Sequence, residues 1–357
     1  MRIVVDINHP AHVHYFKNFI WEMKKRGHDV LITASEKEIS FTLLRNYGFD
    51  FINLGTYGNS VSKKFMNILP MDLKMYKAVK NFDPEVFFGF GSIRAAHVSK
   101  LMRKPCIALD DTEHARWEHR LYVPFTDAIL TSTCFKKDFG KKQIRYNGYT
   151  ELAYLHPNYF TPNPAVLDEM GLSKDDTFII LRFVSWTASH DVGQHGIRNK
   201  IELVRELEKY GRVLITSEGQ LPKELEKYKI KVSPEKLHDL LYYASLYVGE
   251  GATIATESAI LGTPSIYVSS LVGTMGNFIE LEQKYGLMLS YKNSDKAIND
   301  AVELIQKTDL KEEWRKKREK LLKDKIDVTA FMVWFAENYP ESFREMKENP
   351  RVEERFK

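Results

Sequence analysis

The chain has little of what would place it in several large classes of protein. Its 357 residues include only two cysteines, Cys106 and Cys134. Neither lies in a zinc-type spacing, so we expect no disulfide framework and no structural zinc site. No run of about 18 apolar residues occurs, which excludes a predicted membrane-spanning helix. The net charge is only +4, whereas a nucleic-acid-binding domain concentrates many more basic residues on one surface.

The chain also begins without the pattern of a secretory signal. Met1 and Arg2 run directly into the β-branched stretch Ile3–Val5, with no apolar segment followed by a cleavage site. Together with the scarcity of cysteine, this predicts a cytoplasmic protein. The mild basic excess is compatible with phosphate-bearing substrates, and with peripheral contact at the inner face of an anionic membrane.

What the chain has in quantity is an alternation of short apolar stretches with amphipathic helical segments. Predicted strands in the first half cover residues 3–5, 30–32, 51–54, 86–89, 106–109 and 128–130. The proline-rich segment 156–172 interrupts this rhythm. Strands then resume at residues 178–181, 212–216, 246–248 and 265–268. Continuous apolar strands between helices are typical of parallel sheets covered on both faces.

The alternation therefore predicts an α/β protein with two Rossmann-like, doubly wound parallel-sheet domains. We expect the first domain over residues 1–155 and the second over residues 173–326, joined by the linker 156–172. Ligands of such sheets bind at the carboxyl ends of the strands. With two such domains, a site is expected in a cleft that both domains face.

The strongest candidate for a ligand site follows the predicted strand Leu246–Val248. It begins Gly249-Glu250-Gly251-Ala252-Thr253, continues through Glu257, and ends Gly262-Thr263-Pro264. Small residues let a helix N-terminus approach a ligand closely, and its free N–H groups suit a diphosphate. Glu257 lies one turn into this helix, where a carboxylate can accept two hydrogen bonds from a ribose diol. A tight turn with a glutamate that compensates the helix dipole explains the same pattern.

This segment resembles the donor-nucleotide motif of GT-B glycosyltransferases and of the non-hydrolysing UDP-N-acetylglucosamine 2-epimerases. The glutamate of those proteins binds the ribose of UDP, which implies that role for Glu257, with Gly251, Ala252 and Thr253 beside the donor. As a whole, residues 1 to about 340 are similar to the domain-of-unknown-function family 354, a GT-B-like group. The resemblance implies an N-terminal acceptor domain and a C-terminal nucleotide-sugar domain. It also implies that residues 327–357 form a helix that returns to the first domain.

The loop after the first strand carries a candidate base. Pro10-Ala11-His12-Val13 is similar to the Gly-Gly-His-Val loop of the peptidoglycan N-acetylglucosaminyltransferase, although Pro10 and Ala11 replace both glycines. The resemblance implies that His12 is the general base, a task that an imidazole suits near neutral pH. His9 is a further substrate-binding candidate. The spacing of His9, His12 and His14 matches no dedicated metal site, so we predict none.

A third group of candidates follows two predicted strands of the first domain. Ser92 comes after Gly89-Phe90-Gly91, and Asp111 and Glu113 come after the strand that ends at Leu109. These stretches are similar to the aspartate-bearing and glutamate-bearing loops of the epimerases, which implies acid–base work or acceptor binding. The same residues could instead cap a helix that begins at about Glu113. We expect Asp111 to be that cap and Glu113 to carry the chemistry.

The second domain offers a further set after its first two strands. The resemblance places Arg182 against the donor diphosphate, and the planar guanidinium suits phosphate oxygens. Trp186 could lie against a base or sugar, or pack at a hinge. Ser217 and Glu218 are candidates for the uracil pocket.

These features favour an inverting, metal-independent glycosyltransferase that uses a UDP-sugar-like donor as substrate and needs no cofactor. Two alternatives remain open, a UDP-N-acetylglucosamine 2-epimerase-like enzyme and a protein that only binds nucleotide-sugars. The epimerase reading assigns proton transfer at C2 to Asp111 and Glu113. The sequence does not identify the acceptor, and its candidates are a sugar, a glycan or a lipid-linked molecule. For the last of these, the apolar side chains of Phe65, Met66, Ile68, Leu69 and Met71 beside Lys63 and Lys64 could form a membrane patch. A buried amphipathic segment explains that stretch more simply.

Overall fold

A computed structural model describes residues 1–37, 39–58, 65–184 and 196–357 of the protein. The chain divides into two compact units. The first unit contains Met1–Tyr159 together with the C-terminal stretch Lys325–Lys357, and the second contains Phe160–Asp324. Trp186 and the two lysines Lys63 and Lys64 lie outside the described residues.

The first unit is built on a parallel sheet that has seven strands in the described part of the chain, in the order β3-β2-β1-β4-β5-β6-β7. The strands are β1 (Arg2–Ile7), β2 (Asp29–Ala34), β3 (Ile52–Asn53), β4 (Val86–Phe90), β5 (Cys106–Asp110), β6 (Ala128–Ser132) and β7 (Gln143–Tyr146). The helices before residue 160 are α1 (Pro10–Lys25), α2 (Ser40–Asn46), α3 (Ile68–Val79), α4 (Ile93–Met102), α5 (Arg116–Tyr122) and α6 (Leu152–Leu155).

The second unit repeats this design with five strands among its described residues, in the order β12-β11-β10-β8-β9. The strands are β8 (Phe178–Phe183), β9 (Arg212–Ser217), β10 (Leu246–Gly249), β11 (Ser265–Val268) and β12 (Met288–Tyr291). The helices are α7 (Ala165–Glu169), α8 (Lys200–Leu207), α9 (Leu237–Tyr243), α10 (Ala252–Leu261), α11 (Gly276–Gln283), α12 (Ser294–Ile305) and α13 (Leu310–Asp324). The chain then rejoins the first unit through α14 (Val328–Glu337) and α15 (Glu341–Glu348).

The central strands form the core of each unit. Val4 and Val5 of β1 and Phe88 of β4 are fully buried, as are Ile180 and Val248 of the second sheet. Burial on both faces explains why these strands are continuous apolar runs rather than alternating ones. The predicted fold class, two doubly wound parallel-sheet domains, is confirmed.

Each sheet has a point where its strand order reverses. In the first unit β1 lies between β2 and β4, and in the second β8 lies between β9 and β10. The connections leave such neighbouring strands in opposite directions, so a crevice opens at their carboxyl ends, and ligands of doubly wound sheets bind there. The residues after β1, β4 and β5, and those after β8 and β10, therefore occupy the positions of interest.

Candidate functional site

The loop between β1 and α1 places two histidines at the carboxyl edge of the first sheet. His9 is the N-cap of α1, and its Nδ1 accepts a hydrogen bond from the N–H of Ala11 at 3.2 Å. The N–H of Asn8 donates to Nδ1 of His12 at 3.3 Å. Because an N–H donor faces Nδ1, the proton of a neutral His12 ring lies on Nε2.

His12 lies among aromatic rings. Its ring centroid is 5.0 Å from that of Phe90, 6.2 Å from that of Tyr15 and 5.7 Å from that of His9. Burial, reinforced by the positive charges of Lys37 and Arg94, lowers the pKa of His12 to about 3. The ring is therefore neutral at physiological pH, and as a base it is weaker than an ordinary histidine.

Asp111 follows β5 and shares a neighbour with His12. The hydroxyl of Tyr15 donates to Asp111 Oδ2 at 3.4 Å, and that of Thr112 donates to Oδ1 at 2.8 Å. Burial raises the pKa of Asp111 to about 7, with further contributions from the charges of Asp110 and Glu113. A carboxyl group of this kind exchanges its proton near neutral pH, as a general acid or base must.

The expectation that Asp111 caps a helix is wrong. The helix α5 begins at Arg116 rather than near Glu113, and its N-cap is Ala115, which makes no side-chain capping bond. The chain between Asp111 and Ala115 is a loop in which Thr112 N–H donates to Asp110 Oδ1 at 2.8 Å. Asp111 is thus available for chemistry, whereas Glu113 accepts from the N–H of Lys136 at 3.3 Å and ties the loop after β6.

Ser92 belongs to a buried network that the sequence did not reveal. Its hydroxyl donates to Asp6 Oδ2 at 2.5 Å, and its oxygen accepts from the N–H of Ala95 at 3.2 Å as the N-cap of α4. Asp6 also pairs with Arg94, whose Nη2 lies 2.7 Å from Asp6 Oδ1, and both side chains are fully buried. Because both hydrogen bonds of Ser92 are made within the protein, its role is structural: it stabilises the edge of the sheet that carries His12 and Asp111.

In the second unit, Arg182 extends from the end of β8 along the turn between β10 and α10. A Cβ at Gly249 would lie 2.8 Å from Arg182 Cβ, and one at Gly251 would lie 3.0 Å from Arg182 Cγ. Nη2 of Arg182 donates to Glu218 Oε1 at 2.7 Å. Among the described residues, the buried Nε of Arg182 has no hydrogen-bond partner. The glycines therefore let a guanidinium lie beside the N-terminus of α10, where positive potential from both favours an anion.

The remaining candidates of the second unit have the following places. Gly251 is the N-cap of α10, and Ala252 and Thr253 form its first turn. Ser217 ends β9, and its hydroxyl donates to the carbonyl of Gly219 at 3.0 Å. Glu257 is 3% exposed, and its Oε1 lies 2.9 Å from Nε2 of His238 on α9.

Glu250 is a further residue that sequence reasoning missed. It separates Gly249 from Gly251, and its side chain is 1% exposed. Its carboxylate accepts from the N–H of Ile197 at 2.6 Å and from that of Val184 at 2.8 Å. The sequence signal was a glutamate between two glycines, but its partners could not be identified without the fold.

No group of three or more metal-ligating side chains comes together within the described part of the chain. None of the helices described is long and apolar enough to cross a membrane.

Two doubly wound parallel sheets, each with polar residues at the reversal of its strand order, define an α/β protein with two Rossmann-like units. The chain belongs to the family described as protein of unknown function (DUF354), which matches residues 1–338. MJ0665 of Methanocaldococcus jannaschii is 26% identical to it over 294 residues, which cover 78% of this chain and 85% of the relative.

Solved structures show the same fold. The UDP-GlcNAc 2-epimerase of Neisseria meningitidis bound to UDP-GlcNAc superposes with a TM-score of 0.62 at 12% identity, covering 97% of this chain and 100% of the epimerase. The glycosyltransferase SsfS6 of Streptomyces sp. SF2575 superposes with a TM-score of 0.62 at 13% identity, covering 95% of this chain and 100% of the transferase. The predicted GT-B fold and the predicted membership of this family are confirmed.

Proposed function

We propose that the protein is a GT-B glycosyltransferase that transfers a sugar from a UDP-sugar-like donor to an acceptor hydroxyl, with inversion and without a metal ion. The observation that carries this proposal is the environment of Asp111. This carboxyl group lies at the carboxyl edge of the first sheet and accepts from Tyr15, whose ring also neighbours that of His12, and its pKa is raised to about 7. General-base catalysis of this kind contributes about 10²–10⁴-fold to a rate.

In the proposed reaction Asp111, rather than His12, takes the proton of the acceptor hydroxyl. As that proton leaves, the acceptor oxygen forms a bond to the anomeric carbon, and the bond from this carbon to the diphosphate oxygen breaks. A single displacement inverts the configuration. His12 donates a hydrogen bond from Nε2 to the acceptor, because its Nδ1 already accepts from Asn8.

The second unit would bind the donor. The Nε of Arg182 and the N–H groups at the start of α10 stabilise the negative charge that develops on the leaving diphosphate. This is the task that a metal ion performs in metal-dependent transferases. Glu257 holds the ribose hydroxyls, and its contact with His238 fixes the carboxylate on α10. A UDP-sugar is the donor class we favour because the epimerase of the same fold is seen bound to UDP-GlcNAc.

A panel of UDP-, GDP- and CMP-sugars tests this proposal with the full-length protein. We expect thermal stabilisation by the UDP-sugar that binds, because a ligand of the native state raises the free energy of unfolding. We further expect UDP release only when an acceptor is added. Binding without turnover over an acceptor panel of glycans and lipid-linked sugars would indicate a nucleotide-sugar-binding protein instead. Absence of stabilisation by every nucleotide-sugar would remove the donor assignment itself.

An epimerase-like reaction is the second candidate, and the run of acidic residues favours it. Asp110 is the last residue of β5, and Asp111 and Glu113 follow it. Epimerisation at C2 requires a group that removes and returns a proton. Incubation with UDP-N-acetylglucosamine in D2O separates the two reactions. Deuterium at C2 of the recovered sugar nucleotide identifies epimerisation, whereas transfer leaves C2 unlabelled.

We also propose that the acceptor is lipid-linked and reached at an anionic membrane surface. The α3 apolar patch, formed by Phe65, Met66, Leu69 and Leu73, has side chains that are 52%, 77%, 66% and 49% exposed. Lys74 and Lys77, on the same helix, are exposed as well. Met71, expected in this patch from the sequence, is buried instead.

Co-sedimentation with vesicles tests the membrane contact. We expect binding to vesicles that contain phosphatidylglycerol and not to pure phosphatidylcholine. The double change Met66→Ser, Leu69→Ser should abolish this binding, whereas Ile39→Ser, at a residue 43% exposed on another helix end, should leave it intact. Equal sedimentation of all three proteins would overturn the assignment.

A further inference from the structure

Two carboxyl groups stand side by side where β5 ends, and their surroundings differ. Asp110 is only 4% exposed. Its Oδ1 accepts from the N–H of Thr112 at 2.8 Å, and its Oδ2 lies 2.9 Å from Nε2 of His119. The hydroxyl of Tyr122 also donates to Oδ2. Three donors thus converge on Asp110, and two of them come from α5.

The histidine in this network is held from its other side by a lysine. Nδ1 of His119 contacts Nζ of Lys137, in the loop after β6. An ammonium group can only donate, so Nδ1 is the acceptor, and the proton of the neutral ring lies on Nε2, facing Asp110. Lys137, His119 and Asp110 form a chain in which each hydrogen bond points towards the Asp110 carboxylate.

Asp111 has a different set of neighbours. Its two oxygens accept from the hydroxyls of Tyr15 and Thr112, at 3.4 and 2.8 Å. Hydroxyl donors stabilise a carboxylate less than charged or multiple N–H donors do. The same carboxylate chemistry is therefore placed in two environments, which is how paired acids acquire separate roles.

We propose that Asp110 is a positioning residue, fixed by the His119–Lys137 chain and Tyr122 so that its neighbour Asp111 is the group that holds and releases the proton. This inference rests on the proposed function for its catalytic meaning. The division of roles between the two carboxyl groups is itself a property of the protein without substrate.

The charges around Asp111 agree with this division. Burial is the largest influence on its pKa, and the charge of Asp110 is the next, both in the direction that favours the protonated form. The titratable groups that interact electrostatically with Asp111 come from several elements: Asp110, Glu113, Tyr15, Tyr122 and Tyr146. Of these, Asp110 and Glu113 are the groups whose negative charge opposes ionisation of Asp111.

Carbon-13 NMR of aspartate side chains tests the proposal directly, because it follows the titration of the Asp111 carboxyl group. The Asp111 signal is assigned by its loss in Asp111→Asn. In the unmodified protein we expect it to titrate at a pKa of about 7. In Asp110→Asn the opposing charge is gone, and we expect the pKa of Asp111 to fall by about one unit or more. Asp83→Asn is the matched control, because it removes the same charge at an exposed position and should leave the Asp111 titration unchanged.

Tyr122→Phe is the second variant, in case Asp110→Asn does not fold. It keeps both carboxyl groups and removes one of the three donors that fix Asp110, so any change in the Asp111 titration comes from the loss of that donor and not from the loss of a charge. We expect the Asp111 signal to titrate in two steps rather than one. If Asp111 titrates in one unchanged step in every folded variant, the assignment of Asp110 as a positioning residue is overturned.

The pH dependence of kcat distinguishes a failure of this inference from a failure of the proposed function. With turnover established, the rising limb of the kcat profile should move to lower pH in Asp110→Asn, with the donor KM unchanged. A purely structural role would lower kcat at every pH without moving the limb. If the NMR shift occurs while the kcat profile does not move, the two carboxyl roles stand and the assignment of Asp111 as the base fails.

Discussion

The carboxyl edges of the two sheets differ in how their polar groups are held. In the first unit, ionisable side chains contact one another: Asp6 pairs with Arg94, and His119 contacts Asp110. In the second, Arg182 also pairs with Glu218, but glycines in addition bring Arg182 against a helix N-terminus. A dense set of ionisable groups shifts pKa values and suits proton transfer, whereas exposed backbone N–H groups and a guanidinium suit anion binding. Under the proposed function, the first edge suits the proton transfer and the second suits the donor diphosphate.

The largest effect is expected from the substitution of Asp111, the proposed general base in the first unit. Asp111→Asn keeps the size of the side chain and its hydrogen bond from Thr112 but cannot accept a proton. We expect kcat to fall by about 10²–10⁴-fold with little change in donor affinity. Glu113→Gln is the comparison, since Glu113 ties the loop after β6, and its effect should be smaller. A greater loss in Glu113→Gln would exchange the roles of the two residues.

Arg94 in the first unit and Arg182 in the second allow the two edges to be compared by their contributions to the free energy of unfolding. Arg94 is fully buried against Asp6, so Arg94→Met leaves a buried charge without its partner and should lower the free energy of unfolding by about 3–5 kcal/mol. The side chain of Arg182 is 18% exposed in its pair with Glu218. Arg182→Met should therefore cost about 1 kcal/mol or less while weakening nucleotide binding. Urea unfolding and nucleotide titration measure both, and equal losses of stability would contradict the distinction.

Glu257 and His238 provide the corresponding test in the second unit. We expect Glu257→Gln to weaken UDP binding by about 10-fold or more, because a hydrogen bond to a charged group contributes about 1.5–3 kcal/mol. His238→Phe keeps the carboxylate but removes its contact at 2.9 Å, so a smaller loss is expected. Calorimetric titration with UDP compares the two. Unchanged affinity in Glu257→Gln would remove that residue from the nucleotide site.

His12 and Asp111 should give the first unit opposite pH dependences of stability. The pKa of His12 falls from 6.5 to about 3, so its contribution is complete above 6.5 and is lost as the pH falls towards 3. The pKa of Asp111 rises from 3.8 to about 7, so its contribution is complete below 3.8 and is lost as the pH rises to 7. Between those ordinary values, 3.8 and 6.5, the two slopes oppose each other.

Substituting either residue should reveal the pH dependence of the free energy of unfolding that the other residue causes. In Asp111→Asn the free energy of unfolding should rise with pH across this window relative to the unmodified protein, by up to about 1.4 kcal/mol per pH unit. In His12→Gln it should fall with pH by a similar amount. Denaturant unfolding at a series of pH values measures both. Parallel pH profiles for the three proteins would show that neither group has a shifted pKa.

The fold could be predicted from the sequence because it depends on a local pattern. Apolar strands alternating with helices identified both sheets, and the strands that escaped, β7 and β12, lie at sheet edges, where polar side chains such as Gln143 and Arg145 interrupt the apolar run. The contacts at the candidate sites depend on residues far apart in the chain. Asp6 and Arg94 are separated by 88 positions, and Glu250 meets Val184 across 66. No local pattern encodes such pairs, so the loops could be identified but their partners could not.

The smallest effect is expected at Gly251, and it tests why the second unit uses glycine there. Its φ of −80° is open to any residue, so the reason for glycine is space rather than backbone freedom. The Cβ of an alanine would lie 3.0 Å from Arg182 Cγ, a contact that the arginine can relieve only by shifting. We therefore expect Gly251→Ala to leave the unfolding midpoint nearly unchanged and to weaken UDP binding several-fold, because Nε of Arg182 moves from the start of α10.

In Arg182→Met the same alanine should have a smaller effect on affinity, since the side chain that it displaces no longer carries the guanidinium. If Gly251→Ala lowers the affinity for UDP equally in the unmodified protein and in Arg182→Met, the glycine leaves space for the ligand and not for the arginine side chain.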